Sequence, residues 1–175
     1  MTVLAEYDEA WAARYAAIAA DLREAFGDTV TELEHIGSTA VPGLVAKPVI
    51  DIAARAVTLE VASGKDSALA RLDFQHEPAG PPGRRTYHRV IDGILTHNLH
   101  VFPSNAWDTL NQRIFRDHLR ETPDAVRRYS ELKRQLAADG LAGFDYTAAK
   151  TDLIQELTDD ARHHRGLPSV PVWES

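Results

Sequence analysis

The sequence predicts an α+β protein with a small mixed β-sheet flanked by helices and a helical C-terminal third. Three observations predict it. Apolar residues recur at helical spacing near the N-terminus, β-type runs separated by turn residues fill the middle, and helical periodicity returns after Ser104.

Trp11, Tyr15, Ile18, Leu22 and Phe26 fall at intervals of three and four, which predicts a helix over 8–26. Asp8 is its expected cap and Gly27 its expected stop. The alternation in 29–36 predicts a strand, running into a turn-rich stretch, 37–48, with two Gly and two Pro. The β-rich run 49–57 is the expected central strand. Residues 58–73 read as a helix weakened by Gly64, and 74–78 as a short strand. Residues 78–85 form a loop. The runs 86–91 and 94–102 flank Asp92-Gly93, a dipeptide that tolerates the positive φ of a tight turn and so predicts a hairpin. Three helices follow. One starts near Ser104 and carries Trp107, Leu110 and Ile114. A second has Thr122 as N-cap and Pro123 at its first position. A third runs over about 145–162 with Tyr146, Leu153 and Leu157.

With 175 residues, the chain suits one compact domain over 1–165 and an extended tail over 166–175, where two Pro discourage a helix. A formal net charge of −7 argues against general nucleic-acid binding, because phosphate backbones reward positive charge. With no cysteine, disulfides, thiolate metal sites and thiol nucleophiles are excluded. No apolar run approaches the ~20 residues of a membrane span. The segment 1–10 lacks the basic-then-apolar pattern of a secretion signal, so the expected location is cytoplasmic.

The densest chemistry lies in 35–51, HIGSTAVPGLVAKPVID. Gly37 and Ser38 end a strand, where small residues let backbone N–H groups approach a phosphate. Asp51 interrupts an apolar strand and requires a metal, a donor or a cation. Lys47 suits a phosphate or Asp51 itself. The alternative is a structural turn, with Asp51 paired to an Arg. GLVAKP is not a Walker-A loop, lacking its spacing and its Lys-Ser/Thr pair. In the hairpin, Asn98, His100 and Phe102 share one face, and His97 lies on the other with Leu99 and Val101. Asn98 with His100 is the better functional pair, against a structural histidine as the plain reading. Arg84, Arg85 and Arg89 form a basic cluster suited to an anionic substrate and expected in the same cleft as Ser38; solvated surface charge is the alternative. Arg113, Arg116, Asp117 and Arg120 read as a salt-bridged helix surface, and Lys133 and Lys150 mean little alone. His163-His164 carries almost no specificity as a metal tract.

The stretch EHIGSTAVPGLVAKPVIDI (34–52) resembles the signature of the GrpB-like family, within the nucleotidyltransferase-fold superfamily. NLHVF (98–102), FRDHLR (115–120), Tyr129 with Leu132-Lys133, and YTAAK (146–150) continue the resemblance. It implies a mixed sheet flanked by helices, with Gly37 and Ser38 where nucleotide phosphates are held and Asp51 as the first metal-binding carboxylate. The second acid of that pattern would fall at 53, where this chain has Ala53. The expected function is transfer of a nucleotidyl group to a small molecule, or its activation with ATP, with Mg²⁺ and ATP as cofactors. In that reading Gly37, Ser38 and Lys47 meet the nucleotide, Asp51 holds metal, and Asp51 and His100 are catalytic. Arg84, Arg85, Arg89 and Asn98 meet the second substrate. The competing expectation is a non-catalytic domain that binds a small anion or a protein partner.

Overall fold

The computed structural model describes residues 3–172. The chain forms two compact units: Glu9–Ala40 with Val49–Asp108, and Met1–Asp8 with Val41–Pro48 and Thr109–Ser175.

The first unit is built on a five-stranded sheet of order β1-β2-β5-β4-β3. Its strands are β1 (Val30–Ile36), β2 (Ile50–Ala56), β3 (Phe74–His76), β4 (Arg85–Ile91) and β5 (Ile94–Pro103). β2 and β5 run parallel and the other neighbours antiparallel, so the sheet is mixed as the sequence predicts. The β4–β5 hairpin turns at Asp92 (φ 51°) and Gly93 (φ 77°), the two positive φ values that a type I′ turn demands. Helix α1 (Ala10–Phe26) buries Trp11, Ile18, Leu22 and Phe26 and stops at Gly27, whose φ is 56°. Its N-cap is Glu9 rather than the expected Asp8, and the Glu9 side chain makes no cap bond. The predicted helix over 58–73 is two short ones, α2 (Leu59–Ser63) and α3 (Asp66–Ala70), interrupted at Gly64. Strand alternation sends His35, Ile52, Leu99 and Tyr87 to the sheet face covered by these helices, where Tyr15 of α1 stacks on His35 at 4.9 Å.

The second unit is helical, with α4 (Asn111–Glu121), α5 (Pro123–Ala138), α6 (Gly143–Ala148) and α7 (Thr151–His164). Val41, Leu44, Leu119, Ala125, Tyr129 and Leu157 form one buried cluster. The helix expected from Ser104 begins later. Ser104–Thr109 is a 3₁₀ segment whose Trp107 donates to Glu32 Oε2 at 3.1 Å, and the extended backbone of Leu110 (ψ 121°) separates it from α4. Pro123 opens α5 as predicted, although Thr122 makes no side-chain cap bond. The third predicted helix is divided at Lys150, where the Lys150 N–H bonds Thr147 O and tightens the last turn of α6. Beyond α7, Arg162 holds Pro168 O at 2.6 Å and Gln155 bonds Val170 O and Val172 N, so this part of the tail lies along α7; residues 173–175 fall outside the described ones. Arg116, expected on a salt-bridged surface, is only 7% exposed and is paired with Asp117.

Candidate functional site

The sheet register aligns side chains across the face turned away from α1. Ile36, Asp51, Asn98, His88 and Gln75 occupy one row on five successive strands. Glu34, Ala53, His100 and Thr86 occupy the next. Asp51 therefore meets a donor on its own sheet face. Asn98 Nδ2 donates to Asp51 Oδ1 at 2.8 Å, and Asn98 Oδ1 faces His88 Nδ1 at 2.8 Å. Because the amide spends its NH₂ on the carboxylate, its oxygen accepts from His88 Nδ1–H, which leaves His88 Nε2 as the acceptor nitrogen. His88 escaped the sequence reading. Its place follows only from the hairpin register, which sets it opposite Asn98.

Gly37 is required by the same carboxylate. Its φ is 70°, and a methyl there would collide with Asp51 Oδ2 and come within 2.9 Å of Asp51 Cβ. Gly37 thus lets the end of β1 close over Asp51. The 3₁₀ turn Ser38–Ala40 follows, secured by Thr39, which is 2% exposed and donates to Val49 O at 3.1 Å. Thr39 Oγ1 in turn accepts from His35 Nε2 at 2.9 Å. His35 and Thr39 thereby fix the turn that carries Ser38, a role that no motif signalled.

His100 shares its face with Asn98 and Phe102, as predicted, and His97 lies opposite. Burial, with the charges of Arg84 and His88 as smaller causes, pushes the His100 imidazole down to about 3. It is therefore neutral at pH 7 and cannot serve as a general acid there. Its Nδ1 lies 3.5 Å from Thr86 Oγ1, a long contact.

The three arginines do not line one cleft. Thr86 and His88 of β4 take the Asp51 face, so Arg85 and Arg89 take the other. There Arg85 pairs with Asp66 at 2.7 Å and donates to Tyr87 Oη, while Arg89 bonds Leu72 O and lies 3.8 Å from Asp73. This corrects the expectation that both stand beside Ser38: strand alternation decides it. Arg84, just before β4, lies over the Phe102 ring at 5.4 Å, so it stays with the Asp51 face. Lys47 belongs to the helical unit, with its Nζ 4.8 Å from the centre of the Tyr146 ring.

The mixed sheet, with Asp51 on its second strand behind a Gly-Ser turn, is nucleotidyltransferase-like by comparison with a solved structure. The terminal uridylyl transferase 4 of Trypanosoma brucei, solved with bound dUTP, shares the fold at a TM-score of 0.57 and 13% identity, over 95% of this chain and 57% of that one. Residues 2–160 match the GrpB protein family, and the chain belongs to it. The GrpB crystal structure from Enterococcus faecalis superimposes with a TM-score of 0.86 at 28% identity, covering 94% of this chain and 99% of that one. The UPF0157 protein SCO7215 of Streptomyces coelicolor is 35% identical over 90% of this chain and 83% of its own length. The UPF0157 protein YqkA of Bacillus subtilis is 27% identical over 89% of this chain, which spans only 46% of that relative. Among the described residues no helix is long and apolar enough to cross a membrane.

Proposed function

We propose that the protein is a nucleotide-dependent enzyme that transfers a nucleotidyl group to a small-molecule acceptor or activates that acceptor with ATP. The observation that carries this reading is Asp51, directed on β2 by Asn98 and His88 and closed over by Gly37. The fold is one that, in the uridylyl transferase, accompanies a bound nucleotide.

In this reading the backbone around Gly37 and Ser38 meets the phosphates, as N–H groups at a tight turn suit an anion. Asp51 would hold Mg²⁺ together with phosphate oxygens, a donor set that fits because this ion is commonly bound by one or two carboxylates plus phosphates. Held there, Mg²⁺ would supply neutralisation of the phosphate charge. Asn98 and His88 keep the Asp51 carboxylate in one rotamer. Arg84 is the arginine placed to meet an anionic acceptor. The acceptor oxygen would form the new bond to the α-phosphorus while the bond to pyrophosphate breaks and the acceptor proton passes to solvent. Positioning and charge stabilisation supply the rate in such a displacement.

One observation favours a second reading, a non-catalytic domain that binds a small anion or a protein partner. Ala53 is fully buried where the second acid would stand, and no group of three or more His, Cys, Asp or Glu among the described residues is arranged to hold a metal. Thermal melts with ATP, with and without Mg²⁺, separate the readings. The enzyme reading expects ATP to raise the melting temperature only when Mg²⁺ is present, and a scaffold shows no such dependence.

A further inference from the structure

The row that holds Asp51 runs on past the residues used at the phosphates. Across the sheet from β1 to β3 it reads Ile36, Asp51, Asn98, His88 and Gln75. At His88 it meets a cavity of about 340 Å³ lined by Asp73, Gln75, His76, Glu77, His88 and Val90. That volume suits a small molecule or one end of it. His88 gives its Nδ1–H to Asn98 Oδ1, so its Nε2 keeps a free lone pair. Nε2 lies at the tip of the ring, on the side away from Nδ1. Among the described residues it has no hydrogen-bond partner, and it is not sealed from solvent. Gln75, exposed on the edge strand, makes no side-chain hydrogen bond among the described residues either. The carboxylates of Asp73 and Glu77 stand on the same wall and disfavour an anion there. The group that fits this cavity donates hydrogen bonds and carries no negative charge.

In-line displacement decides what enters from this side. With the phosphates held at Gly37 and Ser38, the pyrophosphate leaves toward the β1 edge of the sheet. Attacking and leaving atoms stand roughly in line across the α-phosphorus, so the acceptor approaches from the opposite side, over β5 and β4. Strands lie about 4.8 Å apart, which sets His88 about 10 Å across the sheet from Asp51. An acceptor a few bonds long spans that gap, its reacting group over Asn98 and its far end in the cavity. We propose that the cavity beside His88 is the acceptor subsite, and that the acceptor is a small polyol or amino alcohol with two donor groups. One group reacts at phosphorus, and the other donates to His88 Nε2. The inference deepens the nucleotidyl-transfer reading and rests on it. An anionic part of the same acceptor belongs beside Arg84 and not here.

The test follows pyrophosphate release by the full chain at saturating Mg²⁺ and ATP, with glycerol or ethanolamine as surrogate acceptors. The first offers hydroxyls alone and the second an amine as well, so whichever speeds release several-fold over water assigns the donor. The chain has no cysteine, so Gln75→Cys can be alkylated with N-ethylmaleimide to fill the cavity at one chosen place. The alkylated protein should keep wild-type affinity for Mg²⁺-ATP, measured by calorimetry, and lose the stimulation. Unmodified Gln75→Cys, a change at an exposed position, should keep most of it. His88→Phe should raise the surrogate's KM about tenfold, the loss of one hydrogen bond, while Asn98 still holds Asp51 and Mg²⁺-ATP affinity changes by no more than about threefold. Loss of Mg²⁺-ATP affinity on alkylation would give the cavity to the nucleotide and overturn the proposal. Stimulation that survives alkylation, or no stimulation by either surrogate in a protein that binds Mg²⁺-ATP, would overturn it and leave the nucleotide reading standing. A wild-type protein that binds no Mg²⁺-ATP would overturn both.

Discussion

The sheet unit and the helical unit treat buried polarity in opposite ways. In the sheet, polar side chains answer one another across strands: Asp51, Asn98 and His88 form a row in which each group's partner is another side chain of the same face. In the helical unit, buried Arg116 pairs with the neighbouring Asp117, while two other buried cations reach backbone carbonyls. Arg162, 4% exposed, donates to Pro168 O, Thr109 O and Asn111 Oδ1. Lys133, 3% exposed, donates to Val45 O at 2.9 Å and sits over the Tyr129 ring. The helical unit therefore uses charge to fasten irregular segments to helices. The sheet unit uses it to aim a carboxylate. Removing a group should accordingly cost stability in one unit and ligand binding in the other.

The largest expected effect tests that contrast directly. Arg162→Met breaks three charge-assisted bonds, a buried one to Asn111 Oδ1 and two part-buried ones, and should destabilise the protein by about 3 kcal/mol in urea unfolding, given ~1–3 kcal/mol for a buried unanswered polar group and water for the other acceptors. His88→Gln on the sheet row should cost less than about 1 kcal/mol, because one part-buried neutral bond is lost. Equal losses would break the comparison. Next comes Gly37→Ala, which both strains a positive φ and collides with Asp51; a loss of about 2 kcal/mol is expected, read as a lowered melting temperature.

The smallest effect concerns acid. Burial, chiefly, lowers His97 from 6.5 to about 4 and His100 to about 3. The unfolded chain thus binds protons that the folded chain refuses between those values. Stability is complete above pH 6.5 and falls as the pH drops toward 4 and then 3. His97→Gln should remove part of that acid loss, seen as a flatter curve of unfolding free energy against pH. An unchanged curve would show that carboxylates alone govern the acid limb.

What could be read from the sequence follows from the same contrast. Alternation with a period of two placed Asn98, His100 and Phe102 on one strand face and His97 on the other, and the Asp-Gly turn fixed the hairpin. Partners across strands were hidden, since register is a tertiary fact. His88 became visible only once it lay opposite Asn98, and Arg85 and Arg89 joined the wrong face in expectation because their strand's phase against β2 was unknown. Helical spacing picked out Leu157, which lies in the buried cluster. It misplaced Arg116, which is buried while paired with Asp117, and undervalued Lys133, because a long charged side chain can turn inward to a carbonyl that lies far away in sequence. The region 145–162 read as one continuous helix because the break at Lys150 involves no Gly or Pro.

Asp51 tests the central claim most directly. Asp51→Asn keeps the shape of the side chain and its neighbour Asn98, while removing the charge that would hold a divalent cation. Affinity for ATP with Mg²⁺ and thermal stability should be measured on the same protein. The account predicts a melting temperature within a few degrees of wild type, as expected for ~0.5 kcal/mol or less, and loss of the Mg²⁺-dependent part of ATP binding. A strongly lowered melting temperature with ATP affinity unchanged per folded molecule would contradict it and make Asp51 a structural residue.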